Sequence, residues 1–267
     1  MNSSKLSKDI KLFCLRMIYE SNASHIGSAL SIADILSVLY ADIMQTFPEN
    51  PNHPNRDRFI LSKGHAASIL YALLGELKYF DKAKLSNYGK NGDILMNHVS
   101  HKIPGVEFST GSLGHGLSFG AGKALAAKKK GETWNTYVLM SDGELQEGSI
   151  WEALMFSAHH KLDNIVAIID YNKLQSLKSI NETLNIEPLK QKFASFGWHV
   201  LEVEGHDHKD LKKTFFEAKK VKNKPQIIIA NTVKGKGVSF MENSIKWHYK
   251  TPNKRDYLKA IQEVKNA

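Results

Sequence analysis

The chain has 267 residues, of which 42% are hydrophobic and 24% are charged, and its formal net charge is +9. This composition is ordinary for a soluble globular protein, and the length suits one large domain or two small ones. The lysines are scattered, and no basic run interleaves aromatic residues or matches a nucleic-acid-binding module. We therefore interpret the charge as a solvated surface and expect no nucleic-acid partner.

The N-terminal region and the single cysteine exclude further classes. Because Cys14 is the only cysteine, no intrachain disulfide can form, and its apolar neighbours predict a small core residue. Charged residues between Lys5 and Arg16 interrupt any apolar signal region. No segment is expected to reach the roughly 18 apolar residues of a membrane helix. We therefore expect a cytoplasmic protein without membrane contact.

The first third of the chain predicts helices around one short strand. Apolar residues close to helical spacing predict an amphipathic helix over Lys5 to Asn22. A second helix is predicted from Ser31 to Met44, with Ser31 as N-cap and Asp34 in the capping-box position. The other predicted elements are a loop over Pro48 to Asn55, a short buried strand over Arg58 to Ser62, and a turn at Lys63 to His65 into a further helix.

The middle of the chain has no clear period. Residues Ser86 to Ser112 are rich in Gly, Asn, His and Ser. A stretch of that length without regular structure is usually functional or mobile. Gly114 then opens a helix of small residues, and such residues permit the close approach of another backbone.

The second half alternates strands with helices. Ile165 to Ile169 is a continuous apolar run, which is typical of a strand buried on both faces. The predicted strands are Tyr137 to Met140, Ile165 to Ile169, Val200 to Val203 and Gln226 to Ala230, and the predicted helices are Ser149 to His160, His208 to Val221 and Tyr257 to Lys265. The alternation predicts one α/β domain over residues 1–267, with an open, mostly parallel sheet and helices on both faces.

Two polar turns follow consecutive predicted strands. Asp142-Gly143 follows one strand and Asn172 follows the next. If these strands are neighbours, both side chains emerge at the carboxyl edge of the sheet, where open α/β sheets bind ligands. Carboxylate, amide and carbonyl oxygens suit magnesium or calcium, and Gly143 lets the backbone approach a phosphate. Each turn alone is commonplace, but two of them joined by a strand–helix–strand unit indicate a metal site much more strongly.

This pair resembles the thiamine diphosphate motif, a Gly-Asp-Gly followed about thirty residues later by Asn. Further segments along essentially the whole chain, in the same order, are similar to those of the transketolase family. They are Ser24-His25-Ile26-Gly27-Ser28, Arg56-Asp57-Arg58-Phe59-Ile60-Leu61-Ser62-Lys63-Gly64-His65, Gly105-Val106-Glu107-Phe108-Ser109-Thr110-Gly111-Ser112-Leu113-Gly114-His115-Gly116, Phe196-Gly197-Trp198, Gly205-His206-Asp207 and Thr232-Val233-Lys234-Gly235-Lys236-Gly237.

The resemblance implies the family's diphosphate-binding fold, bound thiamine diphosphate, and magnesium, with calcium or manganese as substitutes. The implied metal ligands are Asp142, Asn172 and the carbonyl of Leu174. The implied cofactor-binding residues are His65, Gly111, Ser112, Leu113, Gly143, Glu144 and Asn172. The implied catalytic residues are His25, His98 and His248, which would surround the reacting sugar, and Glu147, which would bridge to a partner chain and couple the paired sites.

The implied histidines suit the implied chemistry. Two-carbon ketol transfer deprotonates a sugar hydroxyl and later protonates the released aldehyde, and a group that titrates near neutrality suits both steps. His101 and His115 lie near the implied site without an assigned role. The histidines interpreted as structural or surface residues are His53, His159, His160, His199 and His208.

Three residues depart from the family pattern. Ser141 replaces the first glycine of the cofactor motif, which is a mild change if that position needs no positive φ. Tyr171 stands where Asp or Asn is usual, and Val99 follows His98 where Pro is usual. Because the segment around Val99 would border the substrate channel, these departures affect the acceptor preference more than the cofactor.

The chain stops soon after His248, whereas a full transketolase continues for more than this length again. The missing pyrimidine-binding and C-terminal domains would activate the cofactor and bind most of the substrate's phosphate, so the chain is not expected to act alone. We expect the N-terminal subunit of a split transketolase, rather than a truncated form, with a partner that carries those domains in an α2β2 assembly. The expected reaction transfers a two-carbon ketol unit from a ketose, or ketose phosphate, to an aldose.

Three alternatives remain open at this point. Two are enzymes that use the same cofactor, namely the α subunit of a 2-oxoacid dehydrogenase and a deoxyxylulose-phosphate-synthase-like carboligase. The flanking histidine segments argue against the first, and chain length argues against the second. The third alternative is a catalytically silent interaction subunit. The donor and acceptor sugars are not identified, and pentose-phosphate metabolism and a specialised sugar route fit these residues equally.

Overall fold

The computed structural model describes residues 1–266, and its core is a parallel sheet. The strands are β1 (Arg58–Leu61), β2 (Thr136–Ser141), β3 (Ile165–Tyr171), β4 (His199–Glu204) and β5 (Gln226–Asn231). They lie in the order β1-β2-β3-β5-β4, and every neighbouring pair is parallel. The predicted α/β fold is confirmed, and each predicted strand ends within two residues of its observed bounds.

The helices surround this sheet. They are α1 (Ser3–Ser21), α2 (Ile26–Leu30), α3 (Ala33–Val38), α4 (Ala67–Glu76), α5 (Gly116–Lys130), α6 (Gly148–His159), α7 (Ile180–Thr183), α8 (Leu189–Ser195), α9 (His208–Lys220) and α10 (Lys254–Asn266). A π-helical turn over Leu39–Ile43 extends α3, and 3-10 turns cover Gly64–Ala66, Lys82–Asn87, Gly143–Gln146 and Ile245–His248. The sequence does not predict α7 or α8, which are only four and seven residues long.

Both faces of the sheet are covered. On β3, Val166 and Ile168 belong to a buried cluster with α1, α3, α4 and α9. Ala167 and Ile169 point the other way, into a second cluster with α5, α6 and α8. The alternation explains why this strand is apolar at successive positions. A Cβ on Gly120 of α5 would lie 2.5 Å from a methyl group of Val138, so the predicted close approach of a small-residue helix is found here.

The predicted cap at Ser31 is wrong. The predicted helix from Ser31 to Met44 instead begins with α3 at Ala33, and Ile32 precedes α3 without any side-chain cap. The Ser31 hydroxyl donates to the Ser28 carbonyl at 3.0 Å and to Asp170 Oδ2 at 2.7 Å. Because Ser31 and Asp34 are both buried, their side chains bond to distant polar groups, and those contacts override the local capping pattern.

One apolar window also differs from the sequence expectation. Residues Ile26–Ile43 are long and apolar enough to cross a membrane by length and composition alone, with a mean hydropathy of 1.5 over 18 residues. In the structure this window comprises α2, α3 and the π-helical turn, and 89% of it is buried inside the protein. The core helix of a globular protein satisfies the same criterion, and this window packs in the core.

The segment predicted to lack regular structure does so. Beyond the 3-10 turn that ends at Asn87, residues 88–115 contain neither helix nor strand. Leu95, Val99 and Ile103 anchor the segment in the core. Val99 also donates its N–H to the Gly64 carbonyl at 3.2 Å, a bond that a proline at this position could not make. The departure at Val99 therefore joins this segment to the turn before α4.

Candidate functional site

The site begins where β2 and β3 end side by side. Ser141 is in register with Asp170, so Asp142 and Asn172 emerge at the same edge of the sheet. The Asp142 N–H donates to the Asp170 carbonyl at 3.3 Å and extends the ladder by one step. The strands before Asp142 and Asn172 are therefore neighbours, as the predicted metal site requires.

Asp142 is almost fully buried, with 2% of its surface exposed. Its Oδ1 accepts the Gly143 N–H at 2.8 Å, and its Oδ2 accepts the Lys173 N–H at 2.6 Å. Burial, reinforced by the charge of Asp170, raises the pKa of Asp142 to about 7. A cation beside this carboxylate would stabilise the ionised form, so the position suits a metal ligand.

Asn172 is held so that its amide oxygen remains an acceptor. Its Nδ2 donates to Asp170 Oδ2 at 3.0 Å, and its Oδ1 accepts the Leu174 N–H at 3.1 Å. Lys173 has a φ of 66°, a left-handed conformation that turns the chain sharply between these residues. One carboxylate, one amide oxygen and one main-chain carbonyl thus meet at one place. In residues 1–266 no group of three or more His, Cys, Asp or Glu side chains forms a metal cluster.

A buried ion pair lies beneath these ligands. Lys63 Nζ is 2.5 Å from Asp170 Oδ2, and both side chains are fully buried. Thr232 and Ser31 also donate their hydroxyls to Asp170. Burial alone would raise the pKa of Asp170, but Lys63 and these hydroxyls hold it below its ordinary value. Sequence reasoning did not single out this pair, although Lys63 lies in a segment that carries the family resemblance and Asp170 lies two residues before Asn172.

Four histidines form the second part of the site. The ring centroid of His25 lies 5.2 Å from that of His65, 5.8 Å from that of His98 and 5.1 Å from that of His248. The His25 backbone has a φ of 71°, and its N–H donates to the His248 carbonyl at 2.7 Å. The contacts bring together residues that are 223 positions apart (248 − 25).

The surroundings of these histidines favour the neutral imidazole over the charged form. Burial, together with neighbouring His98 and Lys234, lowers the pKa of His25 to about 4. Burial and Lys234 lower that of His248 to about 3. The pKa of His65 also lies well below its ordinary value, chiefly through burial. Each imidazole therefore keeps a lone pair that can accept a hydrogen bond at neutral pH.

Lys234 connects the two parts of the site. Its Nζ lies 3.0 Å from the Leu174 carbonyl, 2.9 Å from the Gln175 carbonyl and 3.0 Å from His248 Nδ1. Burial, with the charge of Lys63, lowers the pKa of Lys234 to about 8. The sequence did not mark Lys234 as a site residue; its position in the Lys-Gly-Lys-Gly segment was the available signal.

A cavity of about 270 Å³ joins both parts. The predicted site residues that line it are His25, His65, His98, Gly111, Leu113, Asp142, Gly143, Asn172, Leu174 and His248. The residues that sequence reasoning missed are Ser28, Ser141, Gln175, Ser176, Lys234 and Tyr249. Ten residues predicted from distant parts of the chain therefore meet at one cavity.

Three other predicted site residues do not line this cavity. The Glu144 carboxylate is fully buried and accepts hydrogen bonds from the Ser62 hydroxyl and, at 2.8 Å, from the Gly114 N–H. Its side chain therefore joins β1 to the start of α5. Ser112 and Glu147 are exposed on the surface of the chain, where Glu147 is accessible to another protein chain. Their predicted roles stay predictions.

The unassigned histidines and Tyr171 do not line the cavity, whereas the departure at Ser141 does. His101 contacts the Ser109 hydroxyl at 2.7 Å, and His115 contacts the Leu113 carbonyl at 3.1 Å, both at the surface. The Tyr171 hydroxyl donates to Glu187, so this side chain turns away from the metal ligands. Ser141 does line the cavity and does not adopt a positive φ, so a residue with a Cβ fits there.

Comparisons with known proteins give the family. Residues 2–264 match the family model described as the transketolase, thiamine diphosphate binding domain. The chain belongs to the transketolase family. It is 43% identical over 250 residues to an apulose-4-phosphate transketolase subunit of Phocaeicola vulgatus, and the match covers 94% of this chain and 89% of that protein. It is 37% identical to the 6-deoxy-6-sulfo-D-fructose transketolase subunit SqwG of a Clostridium species, over 96% of this chain and 93% of that one.

Solved structures agree on the fold. The transketolase of Campylobacter jejuni superposes with a TM-score of 0.94 at 33% identity, over 99% of this chain. This chain spans only 43% of that enzyme, whereas it spans about nine-tenths of the two subunit relatives. The prediction of an N-terminal subunit of a split transketolase is confirmed. The comparisons support it over the 2-oxoacid dehydrogenase and deoxyxylulose-phosphate synthase alternatives.

Proposed function

We propose that this chain binds thiamine diphosphate through a divalent metal and, with a partner chain, transfers a two-carbon ketol unit from a ketose to an aldose. The observation that carries the proposal is that oxygen ligands suited to a hard cation and neutral histidines suited to sugar hydroxyls line one cavity. The family's thiamine diphosphate-binding domain supports the cofactor.

Asp142, Asn172 and the Leu174 carbonyl would hold magnesium, and calcium or manganese could replace it. These groups are the hard oxygen ligands that such ions prefer. Asp142 lies in an environment where its charge is not balanced, as its raised pKa indicates. Gly143 and Gly111 would approach the diphosphate, and Lys234 and His65 would donate hydrogen bonds to its oxygens.

The bound cofactor supplies the nucleophilic carbon and the electron sink of ketol transfer. His25, His98 and His248 would orient the sugar hydroxyls and move their protons. Because their pKa values are lowered, His25 and His248 would accept hydrogen bonds from sugar hydroxyls as neutral imidazoles. An anionic ligand beside them would raise those pKa values toward the range that suits general acid–base catalysis.

The partner would carry the pyrimidine-binding and C-terminal domains, in an α2β2 assembly. Two similar proteins named as transketolase subunits support a heteromeric enzyme. The exposed Glu147 would contact the partner and couple paired sites. The names of those relatives include a sugar phosphate and a sulfosugar, so the proposed substrates are sugars with an anionic group at the far end.

Calorimetry tests the cofactor half of the proposal. The chain, assembled with its partner, is titrated with thiamine diphosphate in magnesium and then in excess chelator. We expect saturable binding that chelator removes and that calcium or manganese restores. Heat that is absent in magnesium, or that is the same with chelator, would contradict the metal-dependent cofactor site.

Ketol transfer distinguishes the enzyme from a catalytically silent interaction subunit. A panel of ketose donors and aldose acceptors, with phosphate, sulfonate or neutral ends, is tested with the assembled protein. We expect turnover that favours the anionic sugars. Metal-dependent cofactor binding without transfer to any acceptor would support the silent role instead.

A further inference from the structure

Each residue of the segment 232–235, which carries Lys234 into the site, is bonded to a different part of the fold. The Thr232 hydroxyl donates to Asp170, and the Val233 N–H donates to His206 Nε2 at 2.8 Å. Lys234 Nζ donates to the Leu174 and Gln175 carbonyls. The Gly235 N–H donates to the Gly27 carbonyl at 2.9 Å. His206, one of these partners, does not line the cavity and has no role in the proposed chemistry.

The bond from Val233 fixes the tautomer of His206. Because the Val233 N–H is a donor, Nε2 must be the unprotonated, accepting nitrogen. The proton then resides on Nδ1, which donates to Asp34 Oδ2 at 2.8 Å. Many metal-bound histidines donate one ring N–H to a carboxylate, which fixes the tautomer and leaves the other ring nitrogen to bind the metal. In this protein the other ring nitrogen accepts a main-chain N–H instead of binding a metal.

Asp34 is well suited to hold the ring. It lies on α3, where 8% of its side chain is exposed. It also accepts hydrogen bonds from the Ser7 hydroxyl and, at 2.9 Å, from Lys11 Nζ. Burial alone would raise the pKa of Asp34, but bonds from His206 and His208 and the charge of Lys11 hold it well below its ordinary value. Asp34 is therefore a fixed negative charge between α1 and the loop after β4.

We infer that Asp34 and His206 form a positioning pair that places Lys234 between the Leu174 carbonyl and His248. The pair acts through the Val233 main chain and does not touch the ligand. If the bond from Val233 is lost, Lys234 can shift relative to both the predicted metal ligand and the histidines. This inference rests on the proposed function in one respect, which is that thiamine diphosphate is the ligand that Lys234 contacts.

Two substitutions at one position test the acceptor. His206→Leu removes both ring nitrogens, whereas His206→Gln keeps an amide oxygen for Val233 and an amide N–H for Asp34. In the assembled protein, we expect His206→Leu to weaken thiamine diphosphate binding about tenfold, the lower end of the range for second-layer partners of a metal site. We expect His206→Gln to recover most of that loss.

His208→Leu is the matched control. His208 also contacts Asp34, with Nε2 at 3.3 Å from Oδ1, but makes no bond to residues 232–235. Both variants therefore remove one contact of Asp34, and only His206→Leu removes the contact of Val233. We expect His208→Leu to leave the cofactor affinity within about twofold, since a surviving Asp34–His206 pair still holds the segment. Equal affinity losses in the two leucine variants would overturn the inference.

Hydrogen exchange measures how well the main-chain N–H groups of this segment are protected, and it needs no ligand. In the cofactor-free protein, we expect the peptide that covers residues 232–235 to exchange faster in His206→Leu than in the wild type, with no change in His208→Leu and little in His206→Gln. Unchanged exchange in His206→Leu would reject the positioning role. Because this measurement needs no cofactor, it distinguishes failure of the pair from failure of the proposed function.

Discussion

The cavity has two sides that are held in different ways. On one side lie the residues at the ends of β2 and β3, which we call the floor: Asp142, Asp170, Asn172 and the underlying Lys63. All four are buried, and each is fixed by at least one hydrogen bond of defined geometry. On the other side lies the rim, residues 86–112, where Met96 is 59% exposed and Asn97 is also on the surface.

The difference separates what the protein must keep from what it can vary. A diphosphate held by the proposed metal would lie against the floor, and the polar groups of the floor cannot move without leaving buried charges without partners. The rim is held by a few buried anchors, such as Leu95 and Val99, and its exposed side chains can change at little cost to the fold. We therefore expect the floor to determine cofactor binding and the rim to determine the sugar.

The largest effect is expected on the floor. Asp142→Ala removes the carboxylate ligand, and we expect thiamine diphosphate affinity in magnesium to fall more than about 100-fold, because even second-layer partners of a metal change affinity by 10–100-fold. Calorimetry on the assembled protein measures it. The control is Asp42→Ala, which removes a surface carboxylate paired with Lys212. Activity of Asp142→Ala that survives in saturating magnesium would show that the metal lies elsewhere.

The next effect concerns the histidines between floor and rim. His25→Ala removes an imidazole that contacts three others, and we expect turnover to fall roughly 100-fold, the lower part of the range for loss of a general acid–base group. Cofactor affinity should change far less. Steady-state kinetics and calorimetry, run on the same sample, separate the two quantities. The opposite result, with weak cofactor binding and near-normal turnover, would assign His25 to the floor.

The sequence predicted two of the four floor residues, Asp142 and Asn172, because their signals are local. Asp142, Gly143 and Asn172 each follow an apolar run that a single window of sequence identifies as a strand. The histidines were assigned by resemblance, residue by residue, and not by periodicity. His25, His98 and His248 do line the cavity.

The remainder of the site depends on contacts between distant residues. Lys63 and Asp170 are 107 residues apart, and Asp34 and His206 are 172 apart, so no pattern within one window connects them. Ser31 shows the opposite failure. A local rule favoured a helix cap, but burial beside Asp170 gave its hydroxyl a different partner. Buried polar groups form hydrogen bonds with the partners that the fold brings within reach, and a single sequence does not show which residues those partners are.

A pH-dependent effect on stability is expected from the histidines. The pKa values of His25 and His248 fall from 6.5 to about 4 and about 3 on folding. Below pH 6.5 the unfolded chain binds protons that the folded chain does not, so these groups destabilise the fold as pH falls from 6.5 toward 4. The raised pKa values of Asp142 and Glu144 act in the opposite sense, which makes the wild-type slope a sum of opposing contributions.

A variant isolates the histidine contribution. In His25→Ala/His248→Ala, we expect the melting temperature to decrease less steeply between pH 7 and pH 5 than in the wild type, because both proton-binding differences are absent. A cavity left by the substitutions shifts the whole curve but does not change its slope in this way. Parallel curves for the two proteins would mean that these imidazoles are not desolvated.

The smallest effect is expected on the rim. Asn97 lies beside His98 in an open groove lined by residues 89–93, 96–100 and 109, and the groove meets the main cavity at His98. If the far end of the sugar reaches this groove, Asn97→Ala removes one hydrogen bond to it. We then expect the KM for the aldose to rise about fivefold, because the net contribution of one hydrogen bond to binding is ~1 kcal/mol. Cofactor affinity should stay unchanged, because Asn97 lines the groove and not the main cavity. A loss of cofactor affinity comparable to that of Asp142→Ala would mean that the two sides of the cavity are coupled, and the division between a fixed floor and a variable rim would have to be abandoned.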